Sequence, residues 1–524
     1  MPILIARQKT ALVLAIWLCA PAGLPADEAH PQDPASTTDT SRKATGEQAA
    51  RETAIAVISK NVRVLAATGA SRRAISELQR LLERAPDAPE SHLLAVKIYF
   101  QFGQDDTAAF HARQASALDP ESPEPHRWLA RLARWGGRME EARRHLKRAV
   151  ERRPQSTDLL TELAMLYEAT GHRWRAQRFY RRAARQDPDD ADAALEAALS
   201  VRDPRLRDRT LQQLVRRFPD HSLGRAWANL SASVAGQPFW EIEPVAFPVE
   251  VPIQIERRQF FVVRAEINGH KRVRLLLDTG SSGLKLTRAA AESLELDIFG
   301  SLRVGGLGAR SVISADLALL DSLRLGSLVL HRIPVTLLDS LPLGDGLLNP
   351  KALKSEAVRF DVSSRRLILG NSRDLMPEGS QPLRFHAVDE HPLVQLYLNG
   401  RPRLAMIDTG SGATIFDPSL VRQIPQRRRM LLTGMEFHLS GITGKVKDAR
   451  PIHVARLSIA GLVVENPFLF EADLSLLSTH LGTDIQILFG ADLLSRFDAT
   501  FDYRMMELVL EPAQRGRRRL RPGY

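Results

Sequence analysis

Apolar and polar positions recur along this chain with three different spacings, and each spacing predicts a different kind of element. An unbroken apolar run from Ala11 to Ala20 follows Arg7 and Lys9 and precedes Pro21 and small residues up to Ala26. The run is too short to span a bilayer, and its flanks predict a secretory signal peptide over residues 1–26. Residues 27–48 are rich in Asp, Pro, Thr and Ser without apolar period, which predicts a disordered linker. Helical spacing then occupies residues 49–235. A stretch at 236–250 holding Pro238, Pro244 and Pro248 reads as a second linker. Beyond it the apolar runs become short, β-rich and punctuated by glycine, which predicts strands.

The helical region repeats. Gly69, Gly103, Gly137 and Gly171 fall 34 residues apart; five residues after each stands an alanine (Ala74, Ala108, Ala142, Ala176) and 17 after each a proline (Pro86, Pro120, Pro154, Pro188). Glycine suits a tight turn between two helices, alanine lets them approach, and proline ends the second helix before the next pair. With Tyr99, Leu129, Ala130 and Tyr167 at matching apolar positions, this segment resembles the tetratricopeptide repeat family. The resemblance implies stacked helix pairs forming a superhelix whose concave face takes a peptide or protein partner.

The strand region repeats too. Ile267-Asn268-Gly269 leads through a basic stretch to Leu275-Leu276-Leu277-Asp278-Thr279-Gly280-Ser281, and Leu398-Asn399-Gly400 leads to Ala405-Met406-Ile407-Asp408-Thr409-Gly410-Ser411. Each Asn-Gly predicts a hairpin whose return strand ends in Asp-Thr-Gly. Downstream, Leu347-Leu348-Asn349, Leu353 and Phe360-Asp361 are matched at equal spacings by Leu488-Phe489-Gly490, Leu494 and Phe501-Asp502. The chain here resembles the retropepsin-like lobes of aspartic peptidases, over 251–374 and 389–513 with a linker at 375–388. Two lobes in one chain look like the pepsin arrangement.

That resemblance implies a specific chemistry. Two carboxylates about 3 Å apart share one proton; the ionised member takes a proton from a water between them while the protonated one donates to the scissile carbonyl. Asp278 and Asp408 are the implied dyad. Thr279 and Thr409 would bond across the two loops, Gly280 and Gly410 would give room and backbone N–H groups, and Ser281 and Ser411 would add a hydroxyl donor to each carboxylate. Gly305, Gly306 and Gly308 in the first lobe and Gly441 and Gly444 in the second stand where glycine-rich flaps are expected. Two departures stand out: neither candidate flap carries the tyrosine found in pepsin, and Asn349 replaces a glycine, where tolerance of positive φ would be its qualification. Pairing of equivalent lobes from two chains is the competing arrangement.

Composition narrows the partners. The sole cysteine, Cys19, lies in the leader, so disulfides, a thiolate metal cluster and a cysteine nucleophile are excluded from the body. No phosphate loop, no His-Glu-x-x-His and no ligand spacing among the histidines is found, so no metal or other cofactor is expected. The net charge of +11 divides into +8 over residues 49–235, −1 over 236–514 and +5 in the last ten residues, with the remainder in the leader and first linker. The catalytic half is therefore nearly neutral. Without interleaved aromatic residues the arginine-rich helices read as solvated faces, so no nucleic acid is expected, and the basic tail at 514–524 is a disordered extension suited to an anionic surface.

The sequence thus predicts a multidomain chain, an all-α tetratricopeptide-type superhelix followed by an all-β bilobal aspartic-protease-like domain. Its expected activity is that of an aspartic endopeptidase acting on peptide or protein substrates, with the repeats recruiting a substrate or partner. The alternative is an inactive protease-like scaffold that holds a peptide. The leader places it in the periplasm or outside the cell, the alternatives being anchorage through an uncleaved leader or a lipidated Cys19. As a separable module, residues 49–235 should be removable without loss of cleavage of short peptides.

Overall fold

The computed structural model describes residues 39–524 apart from short segments at 68–70, 306–311, 342, 389, 399–400, 425–428, 432–439, 442–443, 447–448, 455, 460–461, 466, 482–484, 514–519 and 523–524. Two compact units make it up, one ending at Pro120 and one spanning Glu121–Tyr524. The signal-peptide reading falls on residues outside the described ones.

Among the described residues, eleven helices precede the first strand: in the first unit α1 (Asp39–Ala67), α2 (Ser71–Arg84), α3 (Pro89–Gln101) and α4 (Asp105–Leu118); in the second α5 (Glu124–Trp135), α6 (Met139–Arg152), α7 (Thr157–Ala169), α8 (Arg173–Gln186), α9 (Ala191–Leu199), α10 (Pro204–Arg217) and α11 (Ser222–Ser233). α1 begins at Asp39, inside the stretch expected to be a disordered linker to residue 48. From Arg42 onward Lys, Ala, Glu and Gln dominate, and their helix propensity acts without any apolar period to announce it.

The 34-residue phase is visible as backbone geometry. Gly103, Gly137 and Gly171 have φ of 71°, 73° and 76°, a left-handed turn that a side chain would strain. Gly69 lies outside the described residues. Ala74, Ala108 and Ala142 are fully buried and Ala176 nearly so, at the close approaches expected of them. α2, α4, α6 and α8 each stop two residues short of a repeated proline.

Histidine pairs recur with the same phase. His92 and His111 face each other through their Nδ1 atoms at 2.9 Å in the first unit, and His126 and His145 do so at 3.3 Å in the second. Such a bond requires a donor and an acceptor, so at least one ring of each pair stays neutral. Burial, and then the facing ring, push His111 and His145 down to about 4; Arg148 and Arg144 add to the effect at His145, and Glu141 opposes it. Below the ordinary value of 6.5 the unfolded chain takes up protons that the folded rings refuse. Helical stability should therefore fall as pH drops from 6.5 towards about 4. Melting followed by far-UV circular dichroism checks this: a His111→Leu/His145→Leu protein should show a flatter pH dependence, and equal slopes would contradict the assignment.

The first lobe is built from β1 (Glu241–Ile242), β2 (Val249–Glu256), β3 (Phe260–Ile267), β4 (Lys271–Leu277), β5 (Leu284–Thr287), β6 (Ile298–Gly305), β7 (Val312–Leu325), β8 (Leu328–Leu338), β9 (Gly346–Leu348), β10 (Ala357–Asp361) and β11 (Arg366–Gly370). The second opens with β12 (Leu383–Val388), β13 (His391–Leu398), β14 (Arg401–Asp408) and β15 (Ile415–Phe416). It closes with strands Ile487–Gly490, Phe497–Asp502 and Glu507–Pro512. The Asn268-Gly269 hairpin is present, with β3 pairing antiparallel to β4; β13 likewise pairs antiparallel with β14, while the Asn399-Gly400 between them lies outside the described residues.

Six strands drawn from both lobes form one antiparallel sheet, in the order β2, β11, β10, Phe497–Asp502, Glu507–Pro512, β12. At its centre Val358 faces Phe501 and Phe360 faces Ala499, and the rings of Phe360 and Phe501 meet edge to face at 5.8 Å. Phe261, Phe360, Phe385 and Phe501 are all fully buried around this seam. The lobes thus pair within one chain, and the two-chain arrangement is not needed.

Three boundaries are corrected. Glu241–Ile242, inside the expected linker at 236–250, is a strand paired with His331 and Leu330, and β2 starts at Val249. Residues 383–388 of the expected linker at 375–388 are β12, an edge of the shared sheet. Leu520–Pro522 of the tail pairs with the strand Leu462–Glu465, so this part of the basic extension is ordered against the second lobe.

A fourth correction concerns separability. Leu195, Leu211, Trp227 and Leu230 of α9–α11 belong to one continuous core with Phe261, Leu275 and Leu302 of the first lobe. Leu160, Leu163 and Ala164 of α7 likewise share a core with Leu393, Met406 and Leu488 of the second. Gly300 in β6, at φ 151°, lies so close to α11 that a Cβ there would meet the Ala226 methyl carbon at 2.7 Å. No structural boundary therefore falls at residue 236.

Candidate active site

Each lobe delivers one carboxylate at the end of a buried apolar strand. Leu275, Leu276 and Leu277 of β4 lead into Asp278, with Leu277 paired in parallel to Leu348 of β9. Ala405, Met406 and Ile407 of β14 lead to Asp408, which pairs in parallel with Gly490. A strand buried on both faces reads as a continuous apolar run, the pattern present at both places.

The loops that follow interlock. The Thr279 N–H donates to Thr409 Oγ1 at 3.0 Å and the Thr409 N–H to Thr279 Oγ1 at 3.1 Å. The hydroxyls in turn donate across the pseudo-twofold axis, Thr279 Oγ1 to the Ile407 carbonyl at 2.8 Å and Thr409 Oγ1 to the Leu277 carbonyl at 2.7 Å. Both threonines are fully buried, so all four bonds are sheltered from water. Valine at either position would keep the shape and lose the hydroxyl.

Glycine is required at 280 and 410 because of the opposite carboxylate. A Cβ on Gly280 would overlap the Asp408 carboxylate, and one on Gly410 would overlap that of Asp278. These mutual approaches bring Asp278 and Asp408 together at the seam. The Gly280 N–H donates to Asp278 Oδ1 at 2.8 Å, and the N–H groups of Gly410 and Ser411 donate to Asp408 Oδ1 at 2.9 Å each. Burial, and then the neighbouring charge and hydrogen bond of Asp278, hold Asp408 well above the usual carboxylate range. Such a pair keeps one proton between its members, and its titration belongs to both.

The serines do not serve as expected. The Ser411 hydroxyl donates to the Ala413 carbonyl at 2.8 Å, and it is the Ser411 backbone that reaches Asp408. The buried Ser281 hydroxyl has no hydrogen-bond partner among the described residues. Asn349 is fully buried with φ −74° and ψ 120°, so positive φ is not the reason for asparagine there. Of the flap candidates, Gly305 ends β6 opposite Val312 at the mouth of a hairpin whose tip, with Gly306 and Gly308, is outside the described residues. Gly441 and Gly444 face each other across the small hairpin Ser440–Gly441/Gly444–Lys445.

Residues that the sequence did not flag support both loops. His391 Nε2 lies 3.0 Å from the Gly280 carbonyl and its Nδ1 3.1 Å from the Val388 carbonyl, while Glu390 Oε2 accepts from the Gly283 N–H at 3.1 Å. Burial lowers the pKa of His391. On the other side, Gln259 Nε2 donates to the Gly412 carbonyl at 3.0 Å. Gln259 and Glu390 each stand nine residues before the asparagine of an Asn-Gly hairpin, a correspondence that extending the duplication upstream would have exposed. Lys285, also buried, donates to the Ser282 carbonyl at 2.7 Å.

Comparison with known proteins agrees with this geometry. The aspartyl protease family model matches residues 263–349 and 394–493, and tetratricopeptide repeat models match 60–123, 106–157 and 136–199. No curated protein matches this chain. Among solved structures, MamA is 19% identical, covers 31% of this chain and 91% of its own, and has a TM-score of 0.27. YrrB, described as a TPR protein with an unusual peptide-binding site, is 20% identical over 32% of this chain and 88% of its own, with a TM-score of 0.26. PilF of Pseudomonas aeruginosa is 16% identical over 36% and 86%, with a TM-score of 0.29.

Proposed function

We propose that this chain, which joins tetratricopeptide repeats to an aspartyl protease-like domain, is an aspartic endopeptidase whose dyad is Asp278 and Asp408. The observation that carries the reading is the reciprocal approach of Gly280 to the Asp408 carboxylate and of Gly410 to that of Asp278, backed by four threonine hydrogen bonds. Two carboxylates so held share a proton. One polarises a water as general base and the other donates to the carbonyl oxygen of an extended peptide, without a covalent intermediate. The helical repeats engage a protein or peptide partner, in keeping with the repeat type. Export to the periplasm or beyond, with the leader cleaved after Ala26, is supported by Arg7, Lys9 and the apolar run that follows them.

Digestion of an unstructured peptide library by the full mature chain between about pH 3 and 7 tests the reading. Cleavage at defined internal bonds is expected. A library left intact across that range would turn the assignment into that of a peptide-holding scaffold.

A smaller change probes the interlock. Thr409→Val should leave the fold recognisable and reduce turnover by tenfold or more, since one hydroxyl donor and one acceptor vanish inside a buried network, about 1–3 kcal/mol each. Steady-state kinetics beside a melting curve measures both effects, and unchanged turnover would remove the threonines from the account.

A further inference from the structure

The two loops that close onto the dyad differ at adjacent positions, and the differences compensate. In the second lobe Gly490 is followed by Ala491, whose backbone N–H donates to the Ser411 carbonyl at 2.8 Å. Equal spacing puts Asn349 and Pro350 at the corresponding places in the first lobe, and Ser281 at that of Ser411. Proline has no N–H, so this bond to the Ser281 carbonyl cannot form through the backbone. The asparagine side chain supplies a donor instead: Asn349 Nδ2 reaches the Ser281 carbonyl at 2.6 Å. Its Oδ1 accepts from the Lys351 N–H at 2.9 Å, an orientation of the amide that satisfies both partners. The residue is fully buried, its own N–H donates to the Gly283 carbonyl at 2.9 Å, and its backbone needs no left-handed turn.

We propose that Asn349 is a positioning residue, its side-chain amide replacing the peptide N–H that Pro350 lacks and fixing the loop that carries Asp278. The inference rests on the proteolytic reading for its catalytic consequence, but the exchange of donors is a property of the fold alone. A single carbonyl left unpaired in this sheltered loop would let the Asp278 side drift relative to Asp408, and small misplacements are felt in turnover more than in binding.

The test compares the full chain with Asn349→Gly, Pro350→Ala and the double variant Asn349→Gly/Pro350→Ala. The double variant reproduces the Gly-Ala pair of the second lobe and restores a backbone donor. Asn349→Gly is expected to lower kcat about tenfold with little change in KM, and to lower the melting temperature; the double variant should regain most of both. Pro350→Ala alone calibrates the loss of ring rigidity. A single variant indistinguishable from the parent, or a double variant as impaired as the single, would overturn the inference. If the parent cleaves no peptide, the proteolytic reading fails on that result, and the fall and recovery of melting temperature still decide whether the amide stands in for the missing N–H.

Discussion

Asp278→Asn and Asp408→Asn are each expected to yield a folded protein with cleavage reduced by at least about 10²–10⁴-fold, the span of one general acid–base contribution. An amide cannot pass a proton to or from water, and a site with one carboxyl can supply the base or the acid but not both. The same substitutions should leave stability intact or improve it at neutral pH. Asp408 keeps its proton in the fold well above the ordinary value of 3.8, because its anion would be buried beside Asp278. As pH rises above 3.8 the unfolded chain ionises first, so the parent protein loses stability with rising pH until the folded site ionises as well. Asp408→Asn removes that dependence. Melting temperatures between about pH 4 and 8, read beside peptide cleavage, decide it. Two inactive variants are expected, with the fall of stability with rising pH lost in Asp408→Asn, which removes the buried group that causes it; variants that still cleave, or that unfold outright, would refute the shared-proton dyad.

How much of this site was legible in the sequence depended on whether a residue belonged to a repeated pattern. Asp278, Thr279 and Gly280 were marked because Asp408, Thr409 and Gly410 stand in the same context, and apolar strands buried on both faces announce themselves without structure. The threonine interlock followed from that pairing. The serines did not, because whether a hydroxyl turns to the carboxylate or to the Ala413 carbonyl is settled by one rotation that spacing does not record. Gln259 and Glu390 form a repeated pair as well, but their types differ and neither is chemically conspicuous, so only their common distance from Asn-Gly connects them. Asn349 looked like a defect in a motif. It became intelligible only when the proline beside it was read as a missing donor, since hydrogen-bond accounting needs to know which carbonyl is left over.

The largest misreading lay at the boundary between the halves. Proline clusters and a change of apolar period are good signs of a linker, and residues 236–248 show both. What they do not show is where the apolar face of the last helices goes. An amphipathic helix has the same sequence pattern whether it packs on another helix or on a sheet, so α9–α11 gave no hint that Trp227 and Leu230 complete the core of the first lobe. Likewise β12, Leu383–Val388, lies within a segment that reads as a tether, because the pairing that joins it to the shared sheet is made with Leu508 and Glu507, more than 100 residues further along the chain.

A chain beginning at residue 236 is therefore expected not to fold as the intact protein does. Removing the helices would uncover the first-lobe surface on which Leu195, Leu211, Trp227 and Leu230 rest, and the second-lobe surface covered by Leu160 and Leu163. A fully buried Leu or Trp contributes about 1.5–3 kcal/mol or more, so several lost together rival the 5–15 kcal/mol by which a folded chain is stable. A single substitution grades the effect. Trp227 is buried, with its ring edge to face against Phe239 at 6.3 Å, and Trp227→Ala should cost about 3–5 kcal/mol through the cavity it leaves. Gly300→Ala should act on the same junction from the strand side, since its methyl group would meet Ala226 and its φ of 151° is strained for any side chain. Melting curves and dye binding to exposed apolar surface measure all three proteins. If the chain from residue 236 melts as cooperatively and as high as the full chain, and cleaves the same peptides, the helices are a separable module. If it aggregates while Trp227→Ala and Gly300→Ala show graded losses, α7 and α9–α11 are part of the core of the two lobes rather than a separable module.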